Sequence, residues 1–229
     1  MKPLYYVLGI LFSVALFFVL LFTSIEVVVY NMSYFEKHYE KRDIMSETDM
    51  SLEDLMDVTI KMMDYLKDRE DNLDMEAMVD GQMEEVFGER EKLHMVDVKD
   101  LFLKAIWTRN FSIIYILGIV LLGTFKNRKM LVTILGSVKF VFVGLLVLAG
   151  GVGYLFYTDF DKYFVIFHEI FFDNDLWQLN PRTDILINMV PIDFFFETAM
   201  YSLAIFFTGL ITVGIVSEVM KRKASKKLV

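Results

Sequence analysis

The sequence predicts an all-α membrane core of four transmembrane helices, with a small extracellular cap whose fold stays open, mixed α+β being one candidate. Three observations lead to this prediction. Apolar side chains make up 55% of the 229 residues. Four runs with little or no charge approach the roughly 20 residues that a helix needs to cross a hydrocarbon core of about 30 Å. Basic residues cluster beside some of these runs, and acidic residues crowd the longest loop between them.

The first run, from residue 4 to 25, carries no charge. It is longer than the apolar part of a signal peptide and no small-x-small cleavage motif follows it, so we expect a retained helix. We place the remaining boundaries where charges return. The predicted segments are spans at 1–30, 108–126, 130–157 and 197–218, a cap at 31–107, a loop at 127–129, an aromatic-rich segment at 158–196 and a basic tail at 219–229.

The basic residues predict the orientation. They lie in the link at 126–129 and in the tail at 221–227, and Lys2 precedes the first span. Because short cytoplasmic segments are enriched in Lys and Arg, both termini are expected in the cytoplasm. The segments 31–109 and 159–197 then face outward.

The first outward segment is strongly acidic. From residue 31 to 109 there are 21 Asp and Glu against 11 Lys and Arg, and the whole chain has a formal net charge of −8. This balance disfavours nucleic acid as a partner. Cysteine is absent, so no disulfide stabilises the segment.

Local patterns predict three elements in this segment. Ser51 followed by acidic residues, with apolar residues at helical spacing, predicts an amphipathic helix over 51–68. Asp80-Gly81 between short apolar runs indicates a hairpin. Residues 89–107 favour a helix that leads into the second span. The second outward segment is rich in aromatic residues and is expected at the level of the lipid headgroups.

Only His38, His94 and His168 are candidates for acid–base chemistry near neutral pH. His38 lies in a polar run, and we interpret it as solvated or locally hydrogen-bonded. His94 precedes Asp97 by three residues, so the two share a helix face and the carboxylate is placed to fix the imidazole tautomer. His168 lies among aromatic residues. A general-base site and an ordinary interfacial histidine are both open on these residues alone.

Other chemistries have weaker support. No His-x-x-x-His or His-Glu-x-x-His pair suggests zinc, although histidines and carboxylates are present. A nucleophilic cysteine and a Gly-x-Ser-x-Gly motif are missing from the sequence. We expect no cofactor and no metal ion. Structural interpretations also stand beside the functional ones: a turn at Asn180-Pro181, an interfacial anchor at Trp177, and an interface position or an inward polar contact for Glu26.

Two longer motifs resemble those of the bacterial lipoprotein intramolecular transacylases. The first runs from Glu89 to Lys99 and contains His94 and Asp97. The second runs from Phe167 to Ile187, contains His168, and is followed by Pro191 and Phe194-Phe195. The resemblance extends over the whole chain in length, span count and loop placement, but residues 31–88 match no motif.

The resemblance implies a membrane acyltransferase of the bacterial plasma membrane, with both termini cytoplasmic and the active site at the outer leaflet. Its substrates would be lipoproteins with a diacylglyceryl-modified N-terminal cysteine, and membrane lipids would surround it. The sn-2 acyl chain would move to the α-amino group of the same cysteine. We assign His94 as base and His168 as acid or oxyanion donor, with the reverse open. Supporting or substrate-positioning residues are Asp97, Asn174, Trp177, Phe171, Phe172, Asn180 and Asp184.

Two alternatives from other classes remain. The chain is a non-catalytic sensor or lipoprotein-binding partner if the acidic cap only recognises a peptide. It is a metal-dependent membrane hydrolase if the histidines hold an ion.

Overall fold

The structure, a computed structural model, describes residues 3–226 apart from the side chain at position 140. Lys2 and Lys227, which support the predicted orientation, lie outside the described residues. The elements in chain order are α1 (Pro3–Val29), α2 (Met32–Arg42), α3 (Ile44–Thr48), α4 (Leu52–Leu66), β1 (Glu76–Val79), β2 (Gln82–Glu85), α5 (Glu89–Phe125), α6 (Arg128–Thr158), α7 (Phe160–Phe171), α8 (Ile185–Met189) and α9 (Ile192–Lys226).

The chain divides into two compact units. We call residues up to 26, 106–158 and from 201 onward the membrane unit, and residues 27–105 and 159–200 the polar unit. Within residues 3–226, the four helices α1, α5, α6 and α9 are long and apolar enough to cross a membrane. This confirms the prediction of four spans. Helices are the expected form because lipid offers no hydrogen-bond partner to an open backbone.

The membrane unit packs around one apolar cluster. Its most buried members include Phe12, Ile134, Phe206 and Leu210. Glu26 on α1 accepts a hydrogen bond from the Arg109 guanidinium on α5. An ion pair among apolar helices satisfies two charges that would be costly alone. Of the two interpretations offered for Glu26, the inward polar contact is therefore the one observed.

The polar unit has its own core. Helix α4 begins at Leu52, and the Ser51 hydroxyl accepts a hydrogen bond from the Asp54 backbone N–H at 3.1 Å. This confirms the amphipathic helix predicted over 51–68. Its buried face includes Leu55, Val58 and Met62, which lie in a cluster with Phe35 and other residues.

One hairpin makes the polar unit a mixed fold. Strands β1 and β2 pair antiparallel, with Met78 opposite Met83. The connecting residues Asp80 and Gly81 have φ of 48° and 75°. Two successive positive φ values are typical of the tight turn that Asp-Gly favours, so the predicted hairpin is confirmed.

His38 does not match its sequence interpretation. Its side chain is 2% exposed, and neither ring nitrogen has a hydrogen-bond partner among the described residues. The Phe194 ring packs against it edge to face, with centroids 4.9 Å apart. The prediction of a solvated or locally hydrogen-bonded side chain is therefore wrong, because His38 lies with Phe35 and Tyr39 on the buried face of α2.

Burial makes His38 a source of acid sensitivity. Burial lowers the pKa of His38 from its ordinary value of 6.5, and nearby Asp193, Glu197, Lys41 and Arg42 modify that effect in opposite directions. Below pH 6.5 the unfolded chain takes up a proton that the folded protein resists, so folded stability falls on acidification and is recovered as pH rises. Between about pH 7.5 and 5.5 we expect a smaller fall in melting temperature for His38→Gln than for the wild type. Equal falls in both proteins would contradict this role, and calorimetry measures the difference.

Candidate functional site

His94 and His168 meet inside the polar unit. His94 lies near the start of α5 and His168 lies in the last turn of α7. Their ring centroids are 6.2 Å apart, with 36° between the ring planes. The residues are 8% and 7% exposed. Two imidazoles are thus held within the reach of one small functional group and are largely shielded from water.

The backbone fixes the tautomer of His168. Asp159 caps the start of α7 by accepting a hydrogen bond from the Lys162 backbone N–H. Nine residues further along, His168 Nδ1 lies 2.7 Å from the Phe164 carbonyl oxygen. A carbonyl oxygen only accepts, so Nδ1 carries the hydrogen. In the neutral ring, Nε2 is then the nitrogen with a free lone pair.

Aromatic rings surround His168. Its ring centroid lies 4.3 Å from that of Phe164, 4.9 Å from Trp177 and 5.5 Å from Phe172. Phe172 is buried, and its ring centroid also lies 5.4 Å from that of His94. Such packing excludes water from the imidazoles, which strengthens electrostatic interactions between them and any bound group.

This environment keeps both imidazoles neutral. The membrane-spanning stretch of α5 is the uncharged run from 110 to 125, and His94 precedes it by more than four helical turns. Burial lowers the pKa of His94 to about 4, and the neighbouring His168 contributes in the same direction. Burial also lowers the pKa of His168, but its hydrogen bond to the Phe164 carbonyl opposes that shift.

Polar contacts join the segment after α7 to α5, through one α5 residue before His94 and one after it. Asn174 donates its side-chain N–H to Asp97 at 2.8 Å, and Arg90 forms an ion pair with Asp175 at 3.4 Å. The Asn174 carbonyl in turn accepts the Trp177 indole N–H at 3.0 Å. Asp97 therefore holds, through Asn174, the indole that packs against His168.

The sequence and the fold have counterparts among known proteins. The sequence matches the family of the lipoprotein intramolecular transacylase Lit over residues 10–195. This match includes both histidines and most of the chain. The chain belongs to the lipoprotein intramolecular transacylase family. The resemblance drawn from the two motifs is thereby confirmed.

The Lit fold is also recognisable. A solved structure of the membrane integral lipoprotein intramolecular transacylase Lit from Bacillus cereus superposes with a TM-score of 0.73 at 22% identity, covering 99% of this chain and 98% of that one. A structure of the same protein with one histidine replaced by alanine gives 0.69 at 21% identity. An uncharacterized protein of Aquifex aeolicus is 28% identical over 136 residues, and this chain spans 57% of its length.

In this Lit family member, the predicted site residues divide into two groups. His94, His168, Asp97, Asn174, Trp177 and Phe172 lie together. Asn180 and Asp184 instead form a turn, in which the Asp184 carboxylate accepts the Asn180 backbone N–H at 2.7 Å. Phe171 is 52% exposed and packs on Phe167. The turn interpretation of Asn180-Pro181 is therefore the one observed.

One expectation for the site is wrong, and one residue of the site was not predicted. Asp97 does not fix the His94 tautomer, because its carboxylate is bound to Asn174 and His94 Nδ1 has no hydrogen-bond partner among the described residues. Sequence reasoning also missed Glu91, a buried carboxylate on the same helix. Its spacing of three residues from Gly88 at a helix start was the available signal.

Within residues 3–226, no three His, Asp or Glu side chains are grouped to hold a metal ion.

Proposed function

We propose that this chain transfers the sn-2 acyl chain of a diacylglyceryl-modified lipoprotein to the α-amino group of the same N-terminal cysteine. Membership of the Lit family supports this activity. The observation that supports the mechanism is the pair of buried imidazoles 6.2 Å apart, one of which has a tautomer fixed by the backbone. The reaction takes place at the outer leaflet of a bacterial plasma membrane, as the distribution of Lys and Arg predicts.

The reaction needs a base. An α-amine with a pKa near 8 is mostly protonated at neutral pH and must lose a proton before its nitrogen can attack an ester carbonyl. The amine nitrogen then forms a bond to the acyl carbon, and the bond from that carbon to the glycerol oxygen breaks. The first proton, lost from the ammonium form before attack, passes to the solvent. The nitrogen loses a second proton as the amide forms, and this proton is transferred to the glycerol oxygen, which leaves as a hydroxyl group.

The geometry favours His168 as the base, the reverse of the assignment made from the sequence. Its Nδ1–H donates to the Phe164 carbonyl, so Nε2 is free to take the amine proton and return it to the glycerol oxygen. The same hydrogen bond stabilises the protonated ring, because it raises the pKa of His168 against the effect of burial.

His94 suits the complementary role. A pKa of about 4, lowered by burial, makes it a weak base that stays neutral at pH 7. A neutral imidazole still donates one N–H, which stabilises the negative charge that develops on the carbonyl oxygen. No acyl-enzyme is required.

The aromatic residues around His168 are expected to lower the entropic cost of the cyclic intermediate that forms when the amine attacks the ester. Attack closes a medium ring through the cysteine backbone and side chain, the glycerol carbons and the ester. Such a ring has many open conformers, and a confined site that holds the two reacting atoms together removes that cost in advance. Trp177, Phe164 and Phe172 form rigid walls around His168.

Tandem mass spectrometry of a reporter lipoprotein tests the proposal. On incubation with the purified protein, the total mass should stay constant, while one acyl chain moves from the glycerol fragment to the N-terminal residue. The lipoprotein should also lose its amine-reactive N-terminus. An unchanged fragment pattern with active, folded protein would contradict the proposed activity.

A further inference from the structure

Glu91 is a charged side chain that the proposed reaction does not use. It lies on α5 one turn before His94, and its residue is 1% exposed. Removing a carboxylate from water is costly unless hydrogen bonds replace the lost hydration. Its contacts therefore indicate what this buried charge does for the polar unit.

Both Glu91 oxygens accept backbone hydrogen bonds. Oε2 accepts the Gly88 N–H at 2.7 Å, and Oε1 accepts the Leu186 N–H at 2.7 Å. The first bond caps the start of α5. The second bond fixes the start of α8, which lies beyond Trp177 in the chain, to the helix that carries His94.

Three side chains of α5 bind the chain that follows α7, and Glu91 is the buried one of the three. Arg90 and Asp97, on either side of it in the chain, bind Asp175 and Asn174 through exposed contacts. Exposed polar contacts contribute little because water competes with them. The Glu91 side chain and its hydrogen bond to Leu186 are buried, so we expect this bond to dominate the position of the segment.

We infer that Glu91 is a positioning residue of the site. It aligns the segment that carries Trp177 with the helix that carries His94, and thereby sets the approach of the two imidazoles. The catalytic consequence rests on the proposed function. A displacement of about 1 Å at a reacting centre can lower a rate by about 100-fold.

Glu91→Asp separates the two hydrogen bonds. We expect the shorter side chain to lose the bond to Leu186 on α8 and to keep a local cap at Gly88, which lies three residues away at the start of the same helix. Glu89→Asp is the matched control, because Glu89 is exposed on the same turn. Both variants are made in a protein that also carries Trp107→Phe. The sequence has two tryptophans, so Trp177 is then the only one left to report fluorescence. Acrylamide quenching of Trp177, kcat and KM are then measured well below the melting temperature.

For Glu91→Asp we expect stronger quenching of Trp177 and a kcat lower by about 10- to 100-fold, with little change in KM. Glu89→Asp should match the background. If Glu91→Asp does not fold, Glu91→Gln replaces it in the experiment. The glutamine amide has one oxygen for the two N–H donors of Gly88 and Leu186, so we expect the same result. Unchanged quenching or unchanged kcat in the folded variant would overturn the inference. Absence of transfer by the wild type would instead refute the proposed function, and quenching would still decide the role of Glu91.

Discussion

Replacing His168 with glutamine is expected to lower the rate of acyl transfer by about 10²- to 10⁴-fold, the usual contribution of a positioned acid–base group. Glutamine keeps a polar side chain of similar length and can donate to the Phe164 carbonyl, but it cannot take up a proton at neutral pH. His94→Gln is expected to have a smaller effect, because an amide N–H can still stabilise the oxyanion. Conversion of a reporter lipoprotein, followed over time by mass spectrometry, measures both rates.

The difference between the two variants tests the assignment of roles. Equal losses in His94→Gln and His168→Gln would contradict the proposal that only His168 transfers protons. Full activity in both would favour a recognition role, in which hydrogen bonding survives the change. His38→Gln is the matched control, since it replaces a third buried histidine of the polar unit that has no described contact with His94 or His168. Its rate should stay near that of the wild type.

Much of the fold follows from simple patterns in the sequence. Long uncharged runs mark the four spans. In lipid such a run forms a helix, because a helix satisfies its backbone hydrogen bonds within the same segment. Ser51 and Asp80-Gly81 mark the start of α4 and the hairpin turn, because caps and tight turns depend on residues close together in the chain.

The aromatic segment is less predictable. The aromatic residues of α7 recur at the spacing of one helix face, at positions 160, 163, 164, 167 and 171, so a helical signal is present in the sequence. Aromatic composition alone placed this segment near the membrane surface and left α7 unpredicted, and α8, with five residues, is too short to show a periodicity. The predicted topology and the family motifs put His168 and His94 on the same side of the membrane, but the distance between them depends on packing that the sequence does not show.

Polar contacts over long separations are the hardest to predict. Helical spacing correctly puts His94 and Asp97 on neighbouring positions, but the carboxylate binds Asn174 instead. The partner of Glu91 is the backbone N–H of Leu186, 95 residues away. Every residue except proline carries such an N–H, so this contact leaves no mark in the sequence.

Phe172→Ala is expected to have the second largest effect, because this ring packs against both imidazoles. Removing a buried phenylalanine leaves a cavity and costs about 3–5 kcal/mol of folding free energy. Water that enters the cavity would stabilise the charged imidazoles. The pKa of His94 should then rise from about 4 toward 6.5, the ordinary value, and the pKa of His168 should rise in the same direction.

The sign of this shift makes the prediction specific. Each imidazole acts in its neutral form, so the rate falls as pH drops through its pKa, and a higher pKa moves that fall to higher pH. Titration of the two rings by NMR, together with the pH dependence of the rate, measures the change. Phe171→Ala is the matched control, because Phe171 is an adjacent and largely exposed phenylalanine. If Phe172→Ala lost stability but both pKa values stayed low, the two helices and the remaining aromatic rings would be sufficient to keep water from the histidines.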